Sequence, residues 1–361
     1  VASGQDYTFA GVLTPGYSQL AYANNDISWE TTTMLNIGID LSLFKGKLNL
    51  IADWYKKTSE DILFTLPIDP IVGLTASETN AGEVENTGWE IEIQHRNSIG
   101  DFKYGIGFLI SDVKNEVTDL AGQSPIIDGA LILKEGEAIN SFYGYQTDGL
   151  FSSQAEIDAH PTQPNATTGL NLAPGDIKFV DRDGDGDIDE DDRYVMGANI
   201  PRYTMGLNLN MEYKNFDLTA FFQGAAKYDL FIESNPNEGP NFESFTSERW
   251  LDRWTPENPN PNASMPRLTY NSTVNSAFTN DFYQRDAKYV RLKNLQIGYN
   301  FPEEILDKLG IQKLRLFATG TNIFTLSPLN EEGFDPEMEA LGRPIFYPPV
   351  STYSLGLNLK F

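Results

Sequence analysis

The densest chemistry in the chain lies in one acidic run, Asp181-Arg182-Asp183-Gly184-Asp185-Gly186-Asp187-Ile188-Asp189-Glu190-Asp191-Asp192. Its carboxylates fall at positions 1, 3, 5, 9 and 12 of a calcium-loop pattern. Gly186 at position 6 permits the sharp turn such a loop needs, and Ile188 at position 8 can anchor it. Asp181, Asp183 and Asp185 would ligate directly, Asp187 through its backbone carbonyl and Asp189 through a water, with Asp192 closing the set. Position 12 is Asp where an EF-hand has Glu, so its bidentate reach is shorter, and no helical pattern flanks the loop. A solvated acidic turn is the simpler alternative. Five clustered carboxylates repel one another without a cation, so the expected cofactor is Ca²⁺, in a structural role.

Other chemistry is sparse. There are no cysteines, which excludes disulfides, thiolate metal sites and a Cys nucleophile. Only His95 and His160 are histidines. No G-x-S-x-G, H-E-x-x-H or phosphate-binding glycine loop occurs, and no carboxylate pair stands out, so an enzyme is not expected. The net charge of −25 offers no basic patch, so no nucleic-acid partner is expected.

The elements that must carry the acidic loop are strands. Tyr353, Leu355, Leu357, Leu359 and Phe361 alternate with Ser354, Gly356, Asn358 and Lys360. One such stripe alone fits the core of a β-sandwich. Three further hairpins repeat it. Leu35, Ile37, Ile39, Leu41 and Leu43 turn at Lys45-Gly46-Lys47 into Leu48, Leu50, Ala52 and Trp54. Trp89, Ile91 and Ile93, with Glu90 and Glu92 opposite, turn at 97–101 into Phe102, Tyr104, Ile106, Phe108 and Ile110. Tyr203 to Tyr213 turns at Lys214-Asn215 into Phe216, Leu218, Ala220 and Phe222. Further strands are expected at 295–301 and 314–325, with a short helix from Pro302 to Leu309 between them and some strand near 142–151.

Short turns alternate with long polar loops near 57–85, 115–199, 225–286 and 326–350. A sandwich has no reason to gather its long loops at one end, whereas a transmembrane barrel does. The fold expected is therefore all-β, a transmembrane antiparallel β-barrel of about ten strands. Tyr203 and Tyr213 bracket one apolar band as interfacial aromatics would. The chain opens mid-pattern at Tyr7-Thr8-Phe9, the tail of a strand, and is expected to be part of something longer.

Several segments resemble one family. Asp286-Ala287-Lys288-Tyr289-Val290-Arg291-Leu292-Lys293-Asn294-Leu295, running on to Gly298-Tyr299-Asn300-Phe301-Pro302, is similar to a late-barrel signature of SusC/RagA-type TonB-dependent outer-membrane transporters. So are Arg253-Trp254-Thr255-Pro256, Phe142-Tyr143-Gly144-Tyr145, Thr321-Asn322-Ile323-Phe324-Thr325, Asp335-Pro336-Glu337 and the ending from Tyr347-Pro348-Pro349 to Phe361. The resemblance implies the C-terminal portion of a 22-stranded barrel in a Gram-negative outer membrane, its N-terminal plug lying elsewhere in the protein. It implies import of oligosaccharides or peptides driven by TonB, with a SusD/RagB-type surface lipoprotein as partner and outer-membrane lipid around the barrel. Tyr143, Tyr145, Trp250 and Trp254, in the long loops, are then candidates to stack on substrate, although loop aromatics also pack the loop itself. The alternative is a calcium-stabilised surface β-protein that binds ligand without transporting it.

Overall fold

Nine long strands form one antiparallel sheet in sequence order, each paired with its chain neighbours. The structure, a computed structural model, describes residues 2–3, 7–14, 17–19, 21, 24–65, 69–164, 171–232, 248–269, 274–338 and 349–361. Parts of all four long loops, and Tyr347 and Pro348 of the resemblance above, lie outside the described residues.

The strands are β1 Thr31–Leu43, β2 Leu48–Glu60, β3 Glu83–Ile99, β4 Phe102–Asp119, β5 Tyr203–Tyr213, β6 Phe216–Ala226, β7 Tyr289–Asn300, β8 Lys313–Leu326 and β9 Thr352–Lys360. Short connections at Phe44–Lys47, Gly100-Asp101 and Lys214-Asn215 join β1 to β2, β3 to β4 and β5 to β6. Phe44, Lys45 and Lys214 take left-handed backbone there, as hairpin turns require. The connection from β7 to β8 holds the expected helix, Glu303–Leu306 extended by a 3₁₀ turn, with Pro302 as its N-cap.

Cross-strand register carries the side-chain alternation across the whole sheet. One apolar row runs Leu41, Leu50, Ile93, Phe108, Leu207, Phe222, Leu292, Phe324, crossing every strand from β1 to β8. The adjacent row on the other face runs Ser42, Asn49, Gln94, Gly107, Asn208, Phe221, Asn294, Thr321, Thr352, with Phe221 its one large apolar member. A one-residue slip in any strand would exchange its two faces, so this agreement pins the register. Among the described residues no second sheet covers the apolar face: Ile37 is 62% and Leu355 90% exposed. That observation removes the sandwich.

Aromatic rows bound the apolar face. Phe102, Tyr213, Phe216 and Tyr299 lie in register at the short-turn end, and the Phe216 and Tyr299 rings sit 4.8 Å apart. Trp54, Trp89 and Tyr203 share the row at the long-loop end. Asp112 is in that row too and is held by Arg202, whose Nε approaches to 2.7 Å. From Tyr203 to Tyr213 the chain rises roughly 33 Å, which at a usual strand tilt spans roughly 25 Å, the height of a lipid-facing band. No helix among the described residues is long and apolar enough to cross a membrane.

The structure departs from the sequence expectations in three places. Strands β3 and β4 run beyond the apolar band to Glu83 and Asp119, because Val84 and Val117 gain a small core of their own with Leu120 and Leu133. Tyr7–Phe9 pairs with Val12–Thr14 as a separate short hairpin, not as the tail of a sheet strand. The largest departure is that the long loops are not open coil. The described parts of 115–199 and 225–286 fold into a cap with its own apolar core, containing Phe142, Tyr145, Leu150, Ile177, Phe179, Ile188, Phe231, Trp254 and Val274.

Candidate functional site

The acidic loop is braced on both sides by the cap. Upstream, Ile177–Phe179 pairs with Thr147–Leu150. Downstream, Arg193–Gly197 pairs with Ser141–Tyr145. Ile188 is buried among Phe179 and its neighbours, and its N–H donates to the Thr162 carbonyl at 2.7 Å, so the anchoring role read from position 8 holds. Gly186 takes φ +95°, a backbone that a side chain would strain.

Asp181, Asp183 and Asp185 converge, with one carboxylate oxygen from each lying within 4.8 Å of the others. Asp181 also folds the turn, accepting from the Gly184 and Gly186 N–H groups at 2.6 and 3.0 Å. Asp183 and Asp185 accept from Asp185 N and Asp187 N. The Asp183 carboxyl is pushed above its ordinary value. The hydrogen bond from Asp185 N pulls it down, but slight desolvation and the charges of Asp185, Asp192 and Asp181 outweigh that bond.

Two members of the expected ligand set are placed differently. Asp192 is buried and directs both oxygens at backbone: Oδ1 accepts from Arg182 N and Asp183 N, Oδ2 from Asp189 N at 2.9 Å. Asp189 accepts from Asp191 N, completing a capping box with Asp192. These two carboxylates brace the turn. Asp187 remains at the exposed rim, where its backbone bridges to Thr162. Three carboxylates with free oxygen valence at a glycine-relaxed turn suit a hard divalent cation.

The four aromatic candidates divide. Trp250 and Trp254 are 4% and 6% exposed, so neither offers a ring face to a substrate. Trp254 packs where a Cβ on Gly175 would collide with its ring, and Trp250 is buried within the 3₁₀ turn Glu248–Asp252. Tyr145 is 2% exposed; Phe179 stacks on its ring at 4.8 Å and the Arg193 guanidinium lies 5.2 Å from the ring centre. Burial of apolar ring area within the folded loops outweighs exposure for these three. Tyr143 alone is half-buried, at the rim of a cavity of about 420 Å³ between Gly144, Arg193, Phe278 and Thr279. Burial raises the pKa of its hydroxyl, against the pull of Arg193.

A second polar centre lies on the non-lipid face of β7. Arg291 is 1% exposed. It donates to Thr325 Oγ1 at 2.7 Å and Asp335 Oδ2 at 2.5 Å, and pairs with Glu337. Lys293 adds a contact to Glu337 at 2.6 Å, and the Tyr289 hydroxyl donates to the same carboxylate at 3.0 Å. Arg291 and Lys293, two residues apart, share one face by strand parity, and a bulge interrupts the ladder between Leu292 and Asn294, resetting the parity beyond them. The sequence carried that signal: apolar residues at 290 and 292 are followed by 295 and 297, a skip in the period of two. Arg291 and Asp335-Pro336-Glu337 stood in separate motifs, and nothing local linked them.

Known proteins match this geometry. The family described as TonB dependent receptor-like, beta-barrel, matches residues 2–323. TonB-dependent receptor P3 of Formosa agariphila is 34% identical over 363 residues, covering 94% of this chain and 35% of that protein. TonB-dependent receptor SusC of Bacteroides thetaiotaomicron is 28% identical over 356 residues, covering 94% of this chain and 32% of its own length. The solved structure of the RagAB peptide transporter shares the fold, with a TM-score of 0.76 at 22% identity over 100% of this chain and 38% of that one. The chain therefore spans about a third of the length of these relatives. Nine sequential antiparallel strands with one uncovered apolar face are what such a barrel wall requires, and the chain belongs to the TonB dependent receptor-like β-barrel family.

Proposed function

We propose that this chain forms part of the wall and outer cap of an outer-membrane transporter that imports oligosaccharides or peptides, powered by TonB. The observation that carries the proposal is the continuous apolar face, uncovered across all nine strands and bounded by aromatic rows. Water would penalise that much contiguous apolar surface, and lipid would not. The polar face, lined by Asn49, Gln94, Asn208 and Asn294, suits a wet lumen filled by a plug from elsewhere in the protein. A SusD/RagB-type surface lipoprotein is the proposed partner, supported by the likeness to SusC and to the fold of RagAB. Tyr143, at the rim of the cap cavity, is the aromatic best placed to meet substrate. The test is to purify the intact protein with and without detergent, and to delete its gene and follow uptake of labelled oligosaccharides and peptides. A monodisperse, detergent-free protein would overturn the membrane assignment, and unchanged uptake of every substrate would overturn import.

We also propose that Asp181, Asp183 and Asp185 hold a hard divalent cation such as Ca²⁺, which would neutralise their mutual repulsion and stiffen the turn. The raised Asp183 carboxyl supports this, because a bound cation relieves that repulsion.

A further inference from the structure

The cap joins the wall partly through a narrow two-stranded neck, in which Asp229–Phe231 pairs with Gln284–Asp286. Against it lies the segment that follows β8. Ser327 caps a 3₁₀ turn, Pro328–Glu332, and the chain then runs to Met338. This strap has two charged feet, an upper one at Glu332 and a lower one at Asp335 and Glu337. At the upper end, Glu332 accepts from Arg285, a neck residue, at 2.6 Å and meets Arg249 of the outer loop at 2.7 Å. The Arg249 guanidinium also lies 5.1 Å from the Phe334 ring centre. At the lower end, Asp335 and Glu337 are held by Arg291 and Lys293 on the wall. Around the feet, Leu329 is buried, and Phe334 and Met338 pack against Tyr228, Leu230, Ala287 and Tyr289, the residues where neck meets wall. The Tyr228 hydroxyl donates to the Pro336 carbonyl at 2.8 Å.

We propose that the strap 327–338 is a brace fixing the cap to the barrel wall, and that its two ion clusters are the points at which cap movement is released. Three observations carry this together. The lower foot is built on a buried guanidinium whose hydrogen bonds are met from the strap and from β8, so removing strap carboxylates leaves an uncompensated charge. Lys293, two residues on from Arg291 and so on the same face, adds a second cation to this foot beside the bulge in the wall ladder. The upper foot clasps the neck itself and not the cap core. With both feet closed, cap and wall move as one body. With both open, the neck side of the cap is free to move over the polar face, while the Val84, Val117, Leu120 and Leu133 core keeps its other side on β3 and β4.

The experiment uses the full-length protein, carrying spin labels at Asp128→Cys on the cap and Lys214→Cys at the short-turn end. The brace variant is Glu332→Gln with Glu337→Gln. Distance distributions between the labels, and hydrogen exchange of the strap, the neck and β5, are compared with the unaltered brace. The expected result is a broadened distance distribution and about tenfold faster exchange in strap and neck, with β5 unchanged. An unchanged distribution with a freely exchanging strap would make the strap a locally packed loop and overturn the proposal. A strap that stays protected would also overturn it, since the ion clusters would then not be what holds it. Should the double variant fail to assemble, Arg285→Gln with Lys293→Gln weakens both feet and is read by the same two measurements.

Discussion

Trp254 shows how burial redirects a residue that its type alone would assign to ligand binding. Its indole fills the cap core, and its Nε1 donates to no described acceptor. Trp254→Phe removes that buried donor and keeps most of the ring, so stability should change by less than about 1 kcal/mol, while Trp254→Ala should cost about 3–5 kcal/mol. Thermal unfolding followed by near-UV circular dichroism checks both. Substrate affinity of the Phe variant should match wild type, and a marked loss would restore the stacking role. His160 makes a pH prediction. Its ring packs edge-on against Phe151, and desolvation holds its pKa below the ordinary 6.5, with Lys178 pressing the same way. The folded state therefore disfavours the charged imidazole. That contribution is intact above the unfolded value and is lost as pH falls through the lowered folded value. The cap melting temperature should accordingly drop as pH is taken below about 6.5, and His160→Leu should flatten that dependence. A profile identical in the two proteins would place the acid sensitivity elsewhere.

At the scale of elements, the acidic turn separates two uses of one residue type. Asp181, Asp183 and Asp185 point together, while Asp189 and Asp192 accept backbone N–H groups. Asp183→Asn and Asp185→Asn should each weaken Ca²⁺ binding by at least about tenfold, measured by calorimetry on the metal-free protein. Asp192→Asn should act differently. It keeps an acceptor but loses the charge that the Arg182, Asp183 and Asp189 amides converge on, so the turn should loosen with or without Ca²⁺, seen as faster hydrogen exchange across 181–192. No calcium heat for the unaltered protein would leave the turn a solvated brace. Strand β9 illustrates the same dependence on context. A Cβ at Gly356 would fall on the Phe317 ring of β8, so this glycine is needed for a cross-strand approach that its own strand pattern does not announce.

For the whole molecule, the uncovered apolar face is the property on which folding in lipid depends. Leu207 sits near the middle of the band, with Phe108 and Phe222 beside it in register. Leu207→Arg should destabilise the assembled barrel by roughly 2–4 kcal/mol, as a charge at bilayer mid-depth does, whereas Asn208→Arg on the opposite face should assemble normally. Heat-modifiable migration of the outer-membrane fraction reads both. Equal effects at 207 and 208 would mean that the two faces do not meet different solvents.

Much of this architecture was legible in the chain. The period-two alternation marked nearly every wall strand and which face of each is apolar, because in a strand that faces lipid on one side and water on the other the side-chain environment is set by local parity alone. The short turns, the loop-end asymmetry and the Ile188 anchor are local for the same reason. What only the tertiary structure decided is wherever long loops fold on one another. Trp254 and Tyr145 went to the cap core because partners more than thirty residues away in sequence, such as Phe179 for Tyr145, supply an apolar enclosure that no window of sequence contains. Asp192 turned from ligand to brace because three backbone amides reached it first. Arg291 met Asp335 and Glu337 across 44 and 46 residues, since burying a guanidinium requires opposite charge from wherever the fold can deliver it.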